Sequence, residues 1–164
     1  MPKTKQLSGP AHSAKILKGY LRQFFPGVKF SVKSETYSGG SSIDVSYTDG
    51  PLLKEVEGVA DLFQKGSFDG MTDCYNYHPV KAGCSGAHYV CVTRERSPEL
   101  DAEILPILKR DYAPRFGTGD RVGDYAPYQI GEAEMILRGI DEEELDRRIE
   151  ERAEAILALG ALVS

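Results

Sequence analysis

The sequence predicts an α+β domain in which helices cover one face of a small antiparallel sheet, in the order α-β-β-α-β-α, followed by a C-terminal amphipathic helix. Two patterns support this fold class. Apolar residues recur every three or four positions near both ends of the chain, and they alternate with polar residues in two neighbouring segments of the first half. The 164 residues, of which 41% are hydrophobic, suffice to bury a core without disulfide or metal cross-links.

The first helix and the hairpin after it follow from these two periodicities. One apolar helix face is formed by Ile16, Leu17, Tyr20, Leu21, Phe24 and Phe25. Pro26 and Gly27 end that helix. Residues 28–32 and 43–47 alternate with a period of two and are separated by a glycine-containing turn at residues 38–41, which predicts an antiparallel hairpin.

The predicted hairpin has two rows of side chains. The inner row, which faces the core, consists of Val28, Phe30, Val32, Ile43, Val45 and Tyr47. The outer row consists of Lys29, Ser31, Lys33, Asp44 and Ser46. Because antiparallel sheets commonly leave one face in water, we expect the outer row to be exposed.

The remaining elements are predicted from capping residues and apolar runs. Asp49, Gly50 and Pro51 predict the start of the second helix, because Asp or Gly can cap it and proline suits the first turn. Residues 66–70 are predicted to be irregular, and residues 88–93 are predicted to form a third strand. Ser97 and Pro98 open a further helix.

The chain divides by composition into four segments. They are a flexible basic arm at residues 1–9, the α+β domain at 10–112, a Gly/Pro-rich loop at 113–131 and a helical segment at 132–164. In the last segment Asp141 and Glu144 match a capping box. An apolar stripe follows, made of Leu145, Ile149, Ala153, Ile156 and Leu157. We expect this helix to dock on the domain or to pair with another copy.

Composition also constrains where the protein acts. No stretch approaches the roughly 18 apolar residues that span a bilayer, and the N-terminus has no apolar signal segment. Three cysteines are an odd and small number for a disulfide-framed secreted protein. We therefore expect a cytoplasmic protein with reduced thiols and no membrane partner.

Three segments resemble a known family. They are residues 25–32 (FPGVKFSV), 37–51 (YSGGSSIDVSYTDGP) and 68–71 (FDGM). Together they resemble large polyvalent protein-associated domain 29, over residues 14–112. The resemblance implies a setting in phages and conjugative elements, where such domains occur in very large multi-domain proteins and as short free-standing proteins. It implies no catalytic residue.

The middle of the chain holds the metal-capable side chains Cys74, His78, Cys84, His88 and Cys91. Two cysteines with two histidines can hold zinc, but no two cysteines have the separation of two to four residues usual in structural zinc sites. An enzymatic alternative would use Cys84 as nucleophile and a histidine as base, although no oxyanion donor or third orienting group is identifiable. We predict no catalytic residue, no metal and no cofactor.

Charge suggests the function. Residues 1–34 hold seven Lys or Arg and no acid, whereas residues 83–164 hold ten basic and seventeen acidic residues. The predicted nucleic-acid-binding residues are Lys15, Lys18, Arg22, Lys29, Ser31 and Lys33. A plain solvated sheet face is the other interpretation, since Asp44 lies in the same row.

We therefore predict a non-enzymatic accessory protein of a phage or mobile genetic element that binds nucleic acid or a nucleoprotein partner through its basic N-terminal half. The alternative is a protein-interaction adaptor or host-defence antagonist that acts through the C-terminal helix. That helix also offers a surface for self-association.

Overall fold

The computed structural model describes the backbone of residues 9–163 and the side chains of residues 9–159. The predicted basic arm therefore lies outside the described residues, except for Gly9, which begins the first helix. Two compact units are present. The first comprises residues 9–94 and 149–163, and the second comprises residues 95–148.

The first unit confirms the predicted α+β class. Its helices are α1 (Gly9–Phe24) and α2 (Leu53–Ala60), with a 3-10 turn at Asp61–Phe63. Its strands are β1 (Ser31–Tyr37), β2 (Gly40–Thr48), β3 (Gly66–Asp69), β4 (Cys74–Tyr77) and β5 (Tyr89–Glu95). They form a three-stranded sheet in the order β1-β2-β5 and a separate antiparallel pair, β3 and β4.

The predicted inner row of the hairpin is confirmed by its burial. Phe30, Ile43, Val45 and Tyr47 are buried, and Val28 and Val32 pack against the same core. The strand bounds differ from the prediction, because β1 begins at Ser31 and continues to Tyr37. Residues 34–37 pair with 40–43 of β2 through the backbone, and such pairing requires no alternation of apolar side chains.

The start of α2 is also corrected by the structure. Asp49 and Gly50 both have positive φ, 55° and 61°, which is turn geometry and not the start of a helix. Pro51 lies in this turn, and its carbonyl accepts a hydrogen bond from the Tyr47 hydroxyl at 3.0 Å. The helix begins at Leu53, capped by the Glu55 carboxylate, which accepts the N–H of Leu52 at 2.9 Å.

The core of the first unit lies between the helices and the inner face of the sheet. Leu17 and Leu21 of α1 and Val56 and Val59 of α2 are fully or almost fully buried with the inner row. Helices thus cover one face of the sheet, as the sequence predicted.

The C-terminal helix α5 (Glu142–Val163) contributes to the same core. Ile156 is fully buried there, and Ala153 packs against it. Gly58 of α2 leaves room for Ile149, since an added Cβ would overlap the Ile149 side chain. Residues 149–159 of the helix therefore dock on the first unit, the first of the two arrangements expected for this helix.

The second unit contains α3 (Pro98–Asp111), α4 (Pro127–Arg138) and the first residues of α5. Ser97 caps α3 as predicted, accepting the N–H of Leu100 at 3.2 Å. Asp141 accepts the N–H of Glu144 at 2.8 Å, in agreement with the predicted cap of the last helix.

The predicted loop at 113–131 contains a 3-10 turn at Val122–Asp124 and the first turn of α4. The sequence-based division at residues 112 and 131 stays a prediction. Within residues 9–163, no helix has both the length and the apolar character required to cross a membrane.

Candidate nucleic-acid interface

Three of the six predicted binding residues lie on one side of α1. Lys15, Lys18 and Arg22 are spaced by three and four positions, so they share one helix face. Lys15 and Arg22 are exposed and Lys18 is half-buried. The opposite face carries Leu17 and Leu21, which lie in the core. These three cations therefore point away from the sheet.

The other three residues lie at the sheet. Lys29 precedes β1, and Ser31 and Lys33 are in it; all three are exposed. In the β1–β2 register Ser31 is opposite Ser46 and Lys33 is opposite Asp44. Directly opposed residues share a sheet face, so the polar outer row forms as predicted, with an acid beside one of its lysines.

The structure does not bring the six residues onto a single surface. The α1 cations face away from the core on the helical side, whereas Ser31 and Lys33 point from the sheet face that is turned away from α1. There are consequently two candidate basic surfaces, a helix surface of Lys15, Lys18 and Arg22 and a strand surface of Lys29, Ser31 and Lys33.

The cations of both surfaces differ in their ion pairing from most of the lysines and arginines after residue 95. Among the described residues, no carboxylate lies within ion-pairing distance of Lys15, Lys18, Arg22, Lys29 or Lys33. By contrast, a carboxylate partner is present at 2.7–3.8 Å for Arg96, Lys109, Arg110, Arg121, Arg138, Arg147, Arg148 and Arg152. The N-terminal cations are therefore available for an external anion.

A second feature of the same unit is a cluster of aromatic side chains, which we call the tyrosine cluster. It consists of Tyr75, Tyr77, His88 and Tyr89, whose rings contact one another in pairs, together with Tyr37, which lies close enough to Tyr75 to raise its pKa. The Tyr75 ring lies at its centre, with centroid distances of 4.8 Å to Tyr77 and 5.7 Å to Tyr89 in edge-on geometry. The exposed fractions of Tyr77, Tyr37 and Tyr89 are 68%, 44% and 40%.

Hydrogen bonds to His88 hold the cluster together. The backbone N–H of Ser41 donates to Nδ1 at 3.1 Å, so Nδ1 carries no proton and the neutral ring bears its proton on Nε2. Nε2 lies 3.3 Å from the Tyr77 hydroxyl and can donate to it. The Tyr75 hydroxyl donates to the His88 carbonyl. The ring of His88 thus links β2 to β4.

The electrostatic surroundings favour the neutral form of His88. Its pKa is lowered from 6.5 by burial and, to a smaller degree, by the positive charge of Lys65. Protonation would also place an N–H at Nδ1 against the Ser41 N–H. Burial and the neighbouring tyrosines raise the pKa of Tyr75, so its hydroxyl stays protonated at neutral pH.

The tyrosine cluster adjoins the outer face of the sheet. Tyr37 pairs with Gly40 in the same register that places Ser31 and Lys33 on that face. On β5, Tyr89 and Cys91 are exposed while Val90 between them is buried, so Tyr89 also points outward. The strand surface therefore shares one side of the sheet with two members of the cluster, Tyr37 and Tyr89.

The cysteines and histidines considered for metal binding are dispersed. No group of three His, Cys, Asp or Glu side chains among residues 9–159 is arranged to hold a metal ion. All three cysteines are free thiols, exposed at Cys74 and Cys91 and half-buried at Cys84. His78 lies exposed beside the Pro79 carbonyl, and His88 belongs to the tyrosine cluster.

The fold and these surfaces define a small α+β domain with unpaired cations and an exposed aromatic cluster. Residues 8–97 match the family described as large polyvalent protein associated domain 29, and the chain belongs to that family. The match covers more than half of the chain and ends at the cap of α3, close to the boundary of the first unit. No curated protein and no solved structure matches the chain.

Reasoning from the sequence missed the tyrosine cluster. Its members come from three separate segments, at residue 37, residues 75–77 and residues 88–89, and only the fold brings these together. One local signal was present, the alternation Tyr75-Asn76-Tyr77 within a segment bounded by glycines, which is typical of a short strand with both tyrosines on one face.

Proposed function

We propose that the protein is a non-enzymatic accessory protein of a phage or mobile genetic element that binds nucleic acid through the cations of its N-terminal half. The setting is supported by membership of the polyvalent protein-associated family. One observation carries the binding proposal: five exposed or half-buried cations in α1 and at β1 have no carboxylate partner among the described residues.

Phosphate oxygens are the ligands that suit these groups. Lysine ammonium groups and serine hydroxyls donate to phosphate without reading base identity, so we expect little sequence preference. The overall charge of −5 and the acids Glu35 and Asp44 on the outer face oppose a polyanion. The dissociation constant should therefore be on the order of micromolar or weaker near physiological salt.

Fluorescence anisotropy with labelled single-stranded DNA, duplex DNA and RNA at low salt tests the proposal. Because the cations lie on two surfaces, they are reversed in two pairs, Lys15→Glu with Lys18→Glu and Lys29→Glu with Lys33→Glu. The pair on the surface that binds should lower affinity about 10-fold or more, by removing two attractive contacts and adding two repulsive ones.

The control is a charge reversal elsewhere on the chain. Arg147→Glu changes the net charge by as much as each lysine reversal does, but it lies in the acidic helix, so it should have a small effect on affinity. Arg152, in the same helix, is not a suitable control because its guanidinium pairs with Glu55 in the core region. Absence of binding to all three nucleic acids at low salt would refute the proposal.

The adaptor alternative has weaker support. Leu157 and Leu159 of α5 are exposed, which is compatible with a protein partner. However, Ala153 and Ile156 of the predicted apolar stripe are used in the core of the protein itself. Binding through α5 and self-association stay predictions.

A further inference from the structure

We infer that the tyrosine cluster is a stacking site for unpaired nucleobases, so that the protein binds single-stranded nucleic acid in preference to duplex. This inference rests on the proposed nucleic-acid binding and specifies its ligand. It requires exposed rings, a fixed arrangement of those rings and a nearby cation, and each is present in the structure.

The rings are accessible and already ordered. Tyr37, Tyr77 and Tyr89 keep large exposed fractions, while Tyr75 between them is half-buried. The Tyr75 and Tyr77 hydroxyls both contact His88, which is itself held by Ser41. Because these contacts hold Tyr75 and Tyr77 before any ligand arrives, little entropy of these two side chains remains to be lost on binding.

Stacking discriminates between single strands and duplexes. Every nucleobase has an aromatic face that can stack on a tyrosine ring, whatever the sequence. In a duplex those faces are already stacked on neighbouring base pairs, so a protein ring reaches them only after local unpairing. A surface with several exposed tyrosines therefore favours unpaired bases.

The charges near the cluster fit a polyanion of modest affinity. Lys65 lies close enough to lower the pKa of His88, and Lys33 shares the outer face of β1 with Tyr37. Four residues along a strand span about 13 Å, so a phosphate at Lys33 and a base at Tyr37 can belong to one short strand. Glu35 lies between them on the same face and repels phosphate. Stacking, more than charge, must then supply the preference for single-stranded nucleic acid over duplex.

The test compares a labelled oligothymidine with a labelled duplex of equal length, using the full chain at low salt. Tyr77→Ala and Tyr89→Ala each remove one exposed ring, and Tyr77→Phe keeps the ring while losing the hydroxyl. The control is Tyr128→Ala, which removes an equally exposed tyrosine (67%) from α4 in the second unit. Thermal melts confirm that each variant is folded.

We expect Tyr77→Ala and Tyr89→Ala each to weaken oligothymidine binding at least 5-fold, because one stacked base contributes upwards of about 1 kcal/mol. Tyr77→Phe should bind more tightly than Tyr77→Ala, because it keeps the ring and loses only the hydroxyl contact with His88. Tyr128→Ala should bind within about 2-fold of the unchanged protein, and duplex binding should be weaker and insensitive to all four variants.

Two results would overturn the inference, and they are distinguishable. In the first result, oligothymidine binds, the lysine reversals abolish that binding, and Tyr77→Ala and Tyr89→Ala bind normally. The proposed function then stands, and the stacking site does not. If neither oligonucleotide binds, both fail, and a protein ligand becomes the better explanation of the tyrosine cluster.

Discussion

Replacing Arg152 with alanine tests whether the C-terminal helix is anchored in the first unit. Its Nη1 lies 3.0 Å from Oε1 of Glu55, and the two side chains are only 20% and 5% exposed. The guanidinium also lies over the Phe25 ring, 4.5 Å from its centroid. The other carboxylate oxygen of Glu55 accepts the N–H of Leu52, so the pair also supports the start of α2.

The magnitude follows from these contacts. A hydrogen bond between charged groups contributes about 1.5–3 kcal/mol, and a cation over an aromatic ring adds about 0.5–1 kcal/mol. Removing the guanidinium also leaves the Glu55 carboxylate without its cation in a buried place. We expect Arg152→Ala to lower the free energy of unfolding by about 2–4 kcal/mol, or the Tm by roughly 5–15 °C.

Thermal unfolding followed by circular dichroism measures this loss. Arg147→Ala is the matched control, because it removes an ion-paired arginine from the exposed side of the same helix and should cost at most about 1 kcal/mol. Arg152→Lys should fall between the two, since lysine keeps the charge and loses the planar stack. Equal Tm values for the two alanine variants would refute the anchoring role.

Three further changes test the fold and the tyrosine cluster, each by thermal or urea unfolding. Ile43→Ala should lower the free energy of unfolding by about 2–4 kcal/mol, whereas Ser46→Ala should change it little, because only Ile43 is buried. Equal losses of stability in the two variants would mean that the sheet faces are misassigned. Gly86→Ala should lower the free energy of unfolding by about 3 kcal/mol or more, because Gly86 has positive φ and an added methyl group would also overlap a backbone carbonyl oxygen. Gly39 has positive φ too but open space around it, so Gly39→Ala should cost only about 1 kcal/mol. The pKa of His88 is lower in the folded protein than in the unfolded chain, so the unfolded chain binds the proton more readily. The contribution of the neutral ring to the free energy of unfolding is therefore fully present above about pH 6.5, and it is lost as pH falls through the lower folded-state pKa. Unfolding at pH 7.5 and pH 5 should therefore show a smaller acid loss in His88→Gln, and an unchanged loss would contradict the role assigned to the ring.

Local periodicity predicted the parts of the fold that depend on neighbouring residues. The alternation at Ile43, Val45 and Tyr47 identified the buried face of β2, and Ser97 and Asp141 identified two helix starts. Each of these signals lies within a few residues of the structure it determines, so a single sequence contains it.

Elements determined by distant contacts escaped prediction. β3 and β4 are strands because they pair with each other, and their residues are mostly exposed, so they show little apolar alternation. The ion pair of Glu55 and Arg152 joins residues 97 positions apart. The separation of the cations into two surfaces likewise depends on how α1 packs on the sheet, which residue spacing does not reveal.

The salt dependence of nucleic-acid binding tests the central claim most directly. If the unpaired N-terminal cations contact phosphates, log affinity must fall linearly with log salt, by about 0.7–0.9 per phosphate contact. Reversal of the lysine pair on the binding surface, either Lys15 and Lys18 or Lys29 and Lys33, should then flatten the slope by roughly 1.4–1.8. A slope that neither reversal changes, or an affinity independent of salt, would contradict the claim that these cations bind phosphate.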